Sequence, residues 1–88
     1  MGLYEEIEKS YPRIMKTLSE KDLFVFKNTD SSELNMFHFG LGLWIRNNLL
    51  YPEKSYLRQL FVENGIEHPD DMSSIIILMF HDYVSKLW

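Results

Sequence analysis

Apolar residues recur at steps of three and four through most of the chain, and the clearest series is the last. Met72, Ile75, Ile76, Met79, Phe80, Tyr83, Val84 and Leu87 fall on one stripe of a 3.6-residue helix. Ile77 and Leu78 widen that stripe, Asp70 or Asp71 stands where an N-cap belongs, and Trp88 is expected to fold back over the helix end. A similar series, Leu3, Ile7, Tyr11, Ile14 and Leu18, runs near the N-terminus and is interrupted by Pro12. Proline inside a helix removes a hydrogen bond and clashes with the preceding turn. This region therefore reads either as one kinked helix or as two short ones with Pro12 in the first turn of the second.

Between the two series the pattern is less regular. Ser19-Glu20-Lys21-Asp22 reads as a turn or a single capped helical turn that leads into Leu23-Phe24-Val25-Phe26. A lone strand there would have no partner in this chain, so a helical or irregular buried segment is expected, with a strand offered to a binding partner as the alternative. Lys27 to Ser32 is a polar loop in which Asp30 and Glu33 have capping-box spacing. From about Leu34 the sequence predicts a central helix. One of its faces carries Leu34, Phe37, Leu41, Trp44 and Ile45, and another carries Met36, Phe39, Leu43 and Leu50.

A helix apolar on nearly every side is expected at the buried centre of a bundle. Gly40 and Gly42 each cost such a helix about 1 kcal/mol against alanine. Close approach of another helix or a ring is the expected return, and a local break exposing backbone to a ligand is the alternative. After Tyr51-Pro52, Leu57, Leu60 and Phe61 mark a further helix that Asn64-Gly65 should end, with Gly65 left-handed. The fold expected is all-α: one domain over residues 1–88, a bundle of four to five helices around a buried central helix.

Composition adds limits. With 88 residues, 45% apolar and 15% aromatic, the chain can bury one core at a size where cores are marginal. There is no cysteine, which removes disulfides, thiolate metal sites and a cysteine nucleophile. The opening Met1-Gly2-Leu3-Tyr4-Glu5-Glu6 lacks the character of a signal peptide and no run approaches membrane-spanning length, so a cytoplasmic address is expected. A formal charge of −4 argues against generic binding to nucleic acid. It suits a basic partner, although mild acidity is also ordinary for a soluble protein.

The search for chemistry narrows the function classes. His38, His68 and His81 have no metal-ligand spacing. His68 with Asp70 and Asp71 could supply part of a site that needs three or four ligands, but turn and capping roles explain the same residues, so no metal and no cofactor are expected. Ser73 and Ser74 lack a nucleophile elbow and read as first-turn residues bonding the backbone. His38 is a general base only if a nucleophile is brought to it; on so apolar a helix it reads as a core histidine. Gly40-Leu41-Gly42 lies within apolar helix rather than between strand and helix, unlike a phosphate loop. Catalysis is not expected. Arg46 is expected to clamp Asp70 or Asp71 through a forked, hydrogen-bonded pair, with Asn47 and Asn48 capping nearby carbonyls.

These residues also carry a resemblance. Trp44-Ile45-Arg46-Asn47-Asn48, preceded by Phe39-Gly40-Leu41-Gly42 and followed by Gly65-Ile66-Glu67-His68-Pro69-Asp70-Asp71-Met72-Ser73-Ser74-Ile75-Ile76, resembles the core of a family of short bacterial proteins of unknown function. The match spans roughly residues 34 to 85, leaves the N-terminal third uncovered and implies no chemistry. In general character, small, acidic and all-helical without catalytic residues, the chain is similar to immunity proteins of contact-dependent and other polymorphic toxin systems.

Charge and that similarity imply a non-catalytic module that binds and neutralises a basic toxin domain, a nuclease, without direct contact to nucleic acid or membrane. Glu5, Glu6, Glu8, Glu20, Asp22, Asp30 and Glu33 are the expected binding acids, with Glu63 and Glu67 as a second patch. The competing expectation is a small enzyme or ligand-binding domain that uses Arg46, Asn47, His68, Asp70 and Asp71. It requires those side chains to converge on an open cleft, and a closed internal network counts against it. An adaptor or oligomerisation role is a third reading, favoured if Phe24, Phe26 or Trp88 is exposed. The sequence leaves the oligomeric state open.

Overall fold

The joints of the fold lie where the sequence cannot continue a helix. The computed structural model describes residues 2–87, and among these every regular element is helical. Trp88, expected over the end of the last helix, lies outside the described residues. The first joint is Ser10, between α1 (Leu3–Lys9) and α2 (Tyr11–Thr17). Pro12 occupies the first turn of α2, where its missing N–H has no intrahelical partner to lose. Of the two N-terminal readings, the structure has the pair of short helices.

The α3 helix (Glu20–Lys27) starts at Ser19, whose hydroxyl accepts the Asp22 N–H at 3.1 Å. Leu23 to Phe26 is therefore helical, but it is not a buried run. Phe26 is fully buried, whereas Phe24 is 65% exposed and Val25 is also exposed. A helix laid on a core turns about one residue in four directly inward, so consecutive apolar residues cannot all follow.

The expected central helix is not continuous. A 3-10 helix (Ser31–Phe37) is followed by a turn through His38, Phe39 and Gly40, then by α4 (Leu41–Ile45) and a π-helical turn (Arg46–Leu50). Asp30 stands at the N-cap of the 3-10 helix without capping it through its side chain; its carboxylate accepts the Ser32 hydroxyl at 2.9 Å instead. Leu34, Leu41, Ile45, Leu49 and Leu50 are buried, while Met36, Phe39 and Leu43 face solvent. Apolar character on every side did not bring burial on every side, because so short a chain has too few other elements to surround a helix completely.

The two glycines act differently. A Cβ on Gly42 would lie 3.0 Å from Arg46 Nη1 and 3.4 Å from the Phe37 carbonyl oxygen, so close approach explains it. A Cβ on Gly40 would meet no atom within 4 Å. Gly40 marks the break rather than a packing contact.

The α5 helix (Tyr56–Glu63) is capped by the Ser55 hydroxyl, which accepts the Arg58 N–H, and ends through Asn64 into Gly65 at φ +84°. This is the left-handed position that glycine adopts without penalty. The last helix, α6 (Pro69–Ser85), begins at His68 rather than at an aspartate. Pro69 takes the first helical position and moves Asp70 and Asp71 into the first turn, where the helix dipole favours their charge.

Met72, Ile76, Phe80 and Val84 of α6 are fully buried. This helix touches α3, α4, α5, the 3-10 helix and the π turn, so the element at the centre of the bundle is α6. Among the described residues the α-helices number six rather than four to five, because the breaks at Ser10 and around Gly40 leave short pieces. No helix among the described residues is long and apolar enough to cross a membrane.

Candidate functional site

Arg46 organises the polar interior. It opens the π turn and is 5% exposed, with its guanidinium lying over Gly42 one turn earlier. Its Nη1 donates to Ser73 Oγ at 2.9 Å and its Nη2 donates to the His38 carbonyl oxygen at 3.0 Å. Its Nε stands 3.7 Å from Asp70 Oδ1. Ser73 is fully buried and donates its own hydroxyl proton to the Asp70 carbonyl oxygen at 3.0 Å. His38 Nε2 lies 4.0 Å from the same Asp70 carboxylate, which is 69% exposed. A buried guanidinium is tolerated only when its donors are met, and among the described residues no buried side-chain nitrogen or oxygen lacks a partner.

The clamp expected at Asp70 is therefore present as a long ion pair rather than a forked hydrogen bond. The fork faces Ser73 and the His38 carbonyl because Asp70, in the first turn of α6, points its carboxylate toward solvent. Asp71 and Asn47 are exposed, and neither joins the network; His68 is exposed at the N-cap of α6. Asn48 does cap a carbonyl, donating to Trp44 O at 2.9 Å.

Of the five residues grouped by the competing reading, only Arg46 and Asp70 come together. Ser73 and His38 are the members that sequence reasoning did not bring to Arg46, although it did give Ser73 the backbone bond that it makes. Ser73 had a signal: it stands three and four residues before the buried Ile76 and Ile77, on the inward stripe of α6. The His38 carbonyl had none, since main-chain atoms carry no sequence label. Ser73 is bonded to a backbone carbonyl and to a cation, so nothing in its surroundings activates it as a nucleophile. Among the described residues no group of three or more His, Asp or Glu side chains could hold a metal ion.

The break that Arg46 ties down carries the most prominent apolar surface. Phe39 is 82% exposed, with the His38 ring edge-on to it at 5.0 Å. Two grooves flank the break. One, of about 440 Å³, runs along α6 between Leu34, His38, Phe39, Ile77 and Leu78. The other, of about 320 Å³, lies between α3 and α4 and includes Val25, Phe37, Leu41 and Trp44, with Asp22 on its edge.

The expected binding acids are distributed around the fold. Glu5, Glu8, Glu20, Asp22, Asp30, Glu33, Glu63 and Glu67 are exposed. Glu6 is half-buried and accepts from Lys9 Nζ at 3.0 Å. Glu8 comes near Asp82 of α6 across Tyr11, a buried residue stacked on Tyr83 with centroids 4.5 Å apart. Burial, then the charges of Glu8 and Asp82 with Tyr83, push the Tyr11 phenol from 10.0 up to about 12. Next to Asp82 in that helix, His81 Nε2 lies 2.8 Å from the Thr29 carbonyl oxygen and anchors the loop before the 3-10 helix.

Comparison with known proteins gives one family. The model described as Domain of unknown function (DUF6794) matches residues 5–84 and so takes in the N-terminal third that the resemblance over 34–85 left out. No curated protein and no solved structure matches the chain.

Proposed function

The chain belongs to the Domain of unknown function (DUF6794) family, whose description names no activity, and from that premise we propose that it is a non-catalytic protein-binding module. The observation that carries this reading is the exposure of Phe39, at 82%, on a turn tied to the buried Arg46 through the His38 carbonyl and flanked by two grooves. Large aromatic side chains fixed on a rigid surface are the usual anchors of protein interfaces. Further support comes from Arg46, whose nitrogens face internal partners rather than an open cleft; Phe24, which is exposed although Phe26 is not, favours an adaptor or oligomerisation form of the same module.

The partner this surface fits is basic. The chain carries a formal charge of −4, and Asp22 stands at the edge of one groove. Opposite charge speeds encounter and selects against acidic competitors. In its specific form the proposal is a cytoplasmic immunity protein that covers a basic toxin domain, a nuclease, with its acids opposing access by the anionic substrate. The test is co-expression with the toxin encoded by a neighbouring gene. Co-purification with growth protection is the expected result; a chain that captures no partner and protects no cell overturns the proposal.

A further inference from the structure

The groove between α3 and α4 has an apolar interior and a single ionisable group. Phe26 is fully buried beneath it and meets Phe37 edge-on, with centroids 4.9 Å apart. Leu18, Leu41, Trp44 and the exposed Val25 complete its apolar lining. Its volume of about 320 Å³ stands at the small end of ligand pockets. Such a space suits one large side chain better than an extended ligand. The side nearest Gly40 is open, since a Cβ there would meet nothing within 4 Å.

Asp22 is the one charged residue lining this space. Its backbone N–H is fixed by Ser19, which holds the first turn of α3 in place. Among the described residues no Lys, Arg or His stands within 4 Å of its carboxylate. A carboxylate beside apolar surface has less water to screen it, and it attracts a cation more strongly once that surface is covered.

Resting on the protein-binding reading, we propose that this groove receives one large apolar or aromatic side chain of the basic partner, with a lysine or arginine of the same segment paired to Asp22. The chemistry is that of an aromatic group carrying a cation a few bonds away. Phenethylammonium is a minimal probe of it, with 2-phenylethanol as the neutral control and 3-phenylpropionate as the anionic one.

Titration of the labelled full chain, followed by NMR at the Trp44 indole N–H and the Val25 methyls, should show binding in the order cation, neutral, anion. The Asp22→Asn substitution should weaken phenethylammonium about two- to five-fold, the range of a partly exposed ion pair, and leave 2-phenylethanol unchanged. Absence of shifts at Trp44 and Val25, or equal binding of all three probes, overturns the proposal. The two readings fail separately. A co-purifying partner whose affinity is indifferent to Asp22→Lys and Val25→Glu removes the groove and leaves the binding module, whereas probe binding without any partner does the reverse.

Discussion

Arg46 Nη1 stands 2.9 Å from Ser73 Oγ, and this bond joins the π turn to the first turns of α6 across 27 positions of chain. The same guanidinium reaches the His38 carbonyl, so one side chain fixes both the break in the middle of the sequence and the helix at the centre of the bundle. Ser73→Ala leaves a buried, charged donor without its acceptor. That loss is expected to lower unfolding free energy by about 1.5–3 kcal/mol. Urea denaturation checks it, and the neighbouring exposed Ser74→Ala should stay within about 0.5 kcal/mol of the parent.

The glycines of the central stretch should separate under substitution. Gly42→Ala places a methyl 3.0 Å from Arg46 Nη1 and 3.4 Å from the Phe37 carbonyl. Displacing the guanidinium from Ser73 should outweigh the gain in helix propensity and destabilise by about 1–3 kcal/mol. Gly40→Ala meets no atom within 4 Å and should cost less. Thermal melts of the two variants give the comparison.

Tyr11 makes stability depend on alkaline pH. Its phenol is pushed from 10.0 up to about 12 by burial and by the charges of Glu8, Asp82 and Tyr83. The folded protein then holds a proton that the unfolded chain releases. The contribution is fully present below pH 10 and is lost as pH rises toward 12. Tyr11→Phe should flatten that part of the stability curve relative to the parent, read as the difference between their urea midpoints across the range.

Phe39 gives the sharpest separation of binding from folding. At 82% exposure its side chain contributes little to the core. Phe39→Ser should therefore change stability by less than about 0.5 kcal/mol, while weakening the partner by about tenfold or more if Phe39 is an interface anchor. Calorimetric titration against the co-purified partner, beside a melt of the free variant, reads both quantities.

Local chemistry was legible where the responsible groups are close in sequence. Asn64-Gly65 closing α5 and the burial of Met72, Ile76, Phe80 and Val84 in α6 follow from spacing or backbone preference alone, whereas Pro12 left one kinked helix and two short ones equally open. The region from Leu34 to Leu50 was not legible to the same degree. Periodicity identifies apolar faces but does not say whether enough neighbouring chain exists to cover them, and for Met36, Phe39 and Leu43 it does not. The Arg46 network was half visible. A buried arginine needs acceptors, and an aspartate nearby was a reasonable choice, but the better acceptor was a carbonyl freed by the break itself. His68 shows the same limit at shorter range: Pro69 after it fixed the helix start and displaced the two aspartates from the cap.

The turn at Arg46–Leu50 closes through the Tyr51 N–H donating to the Arg46 carbonyl at 2.7 Å, one residue wider than an α-helical turn. That extra residue lets Leu49 and Leu50 both reach the core. Deleting Asn47 would let the turn close as an ordinary i→i+4 turn and withdraw the one surplus residue that the π turn absorbs. Segment length at this point, counted to the single residue, bears on how Leu49 and Leu50 fill the core as directly as the identity of any side chain within it.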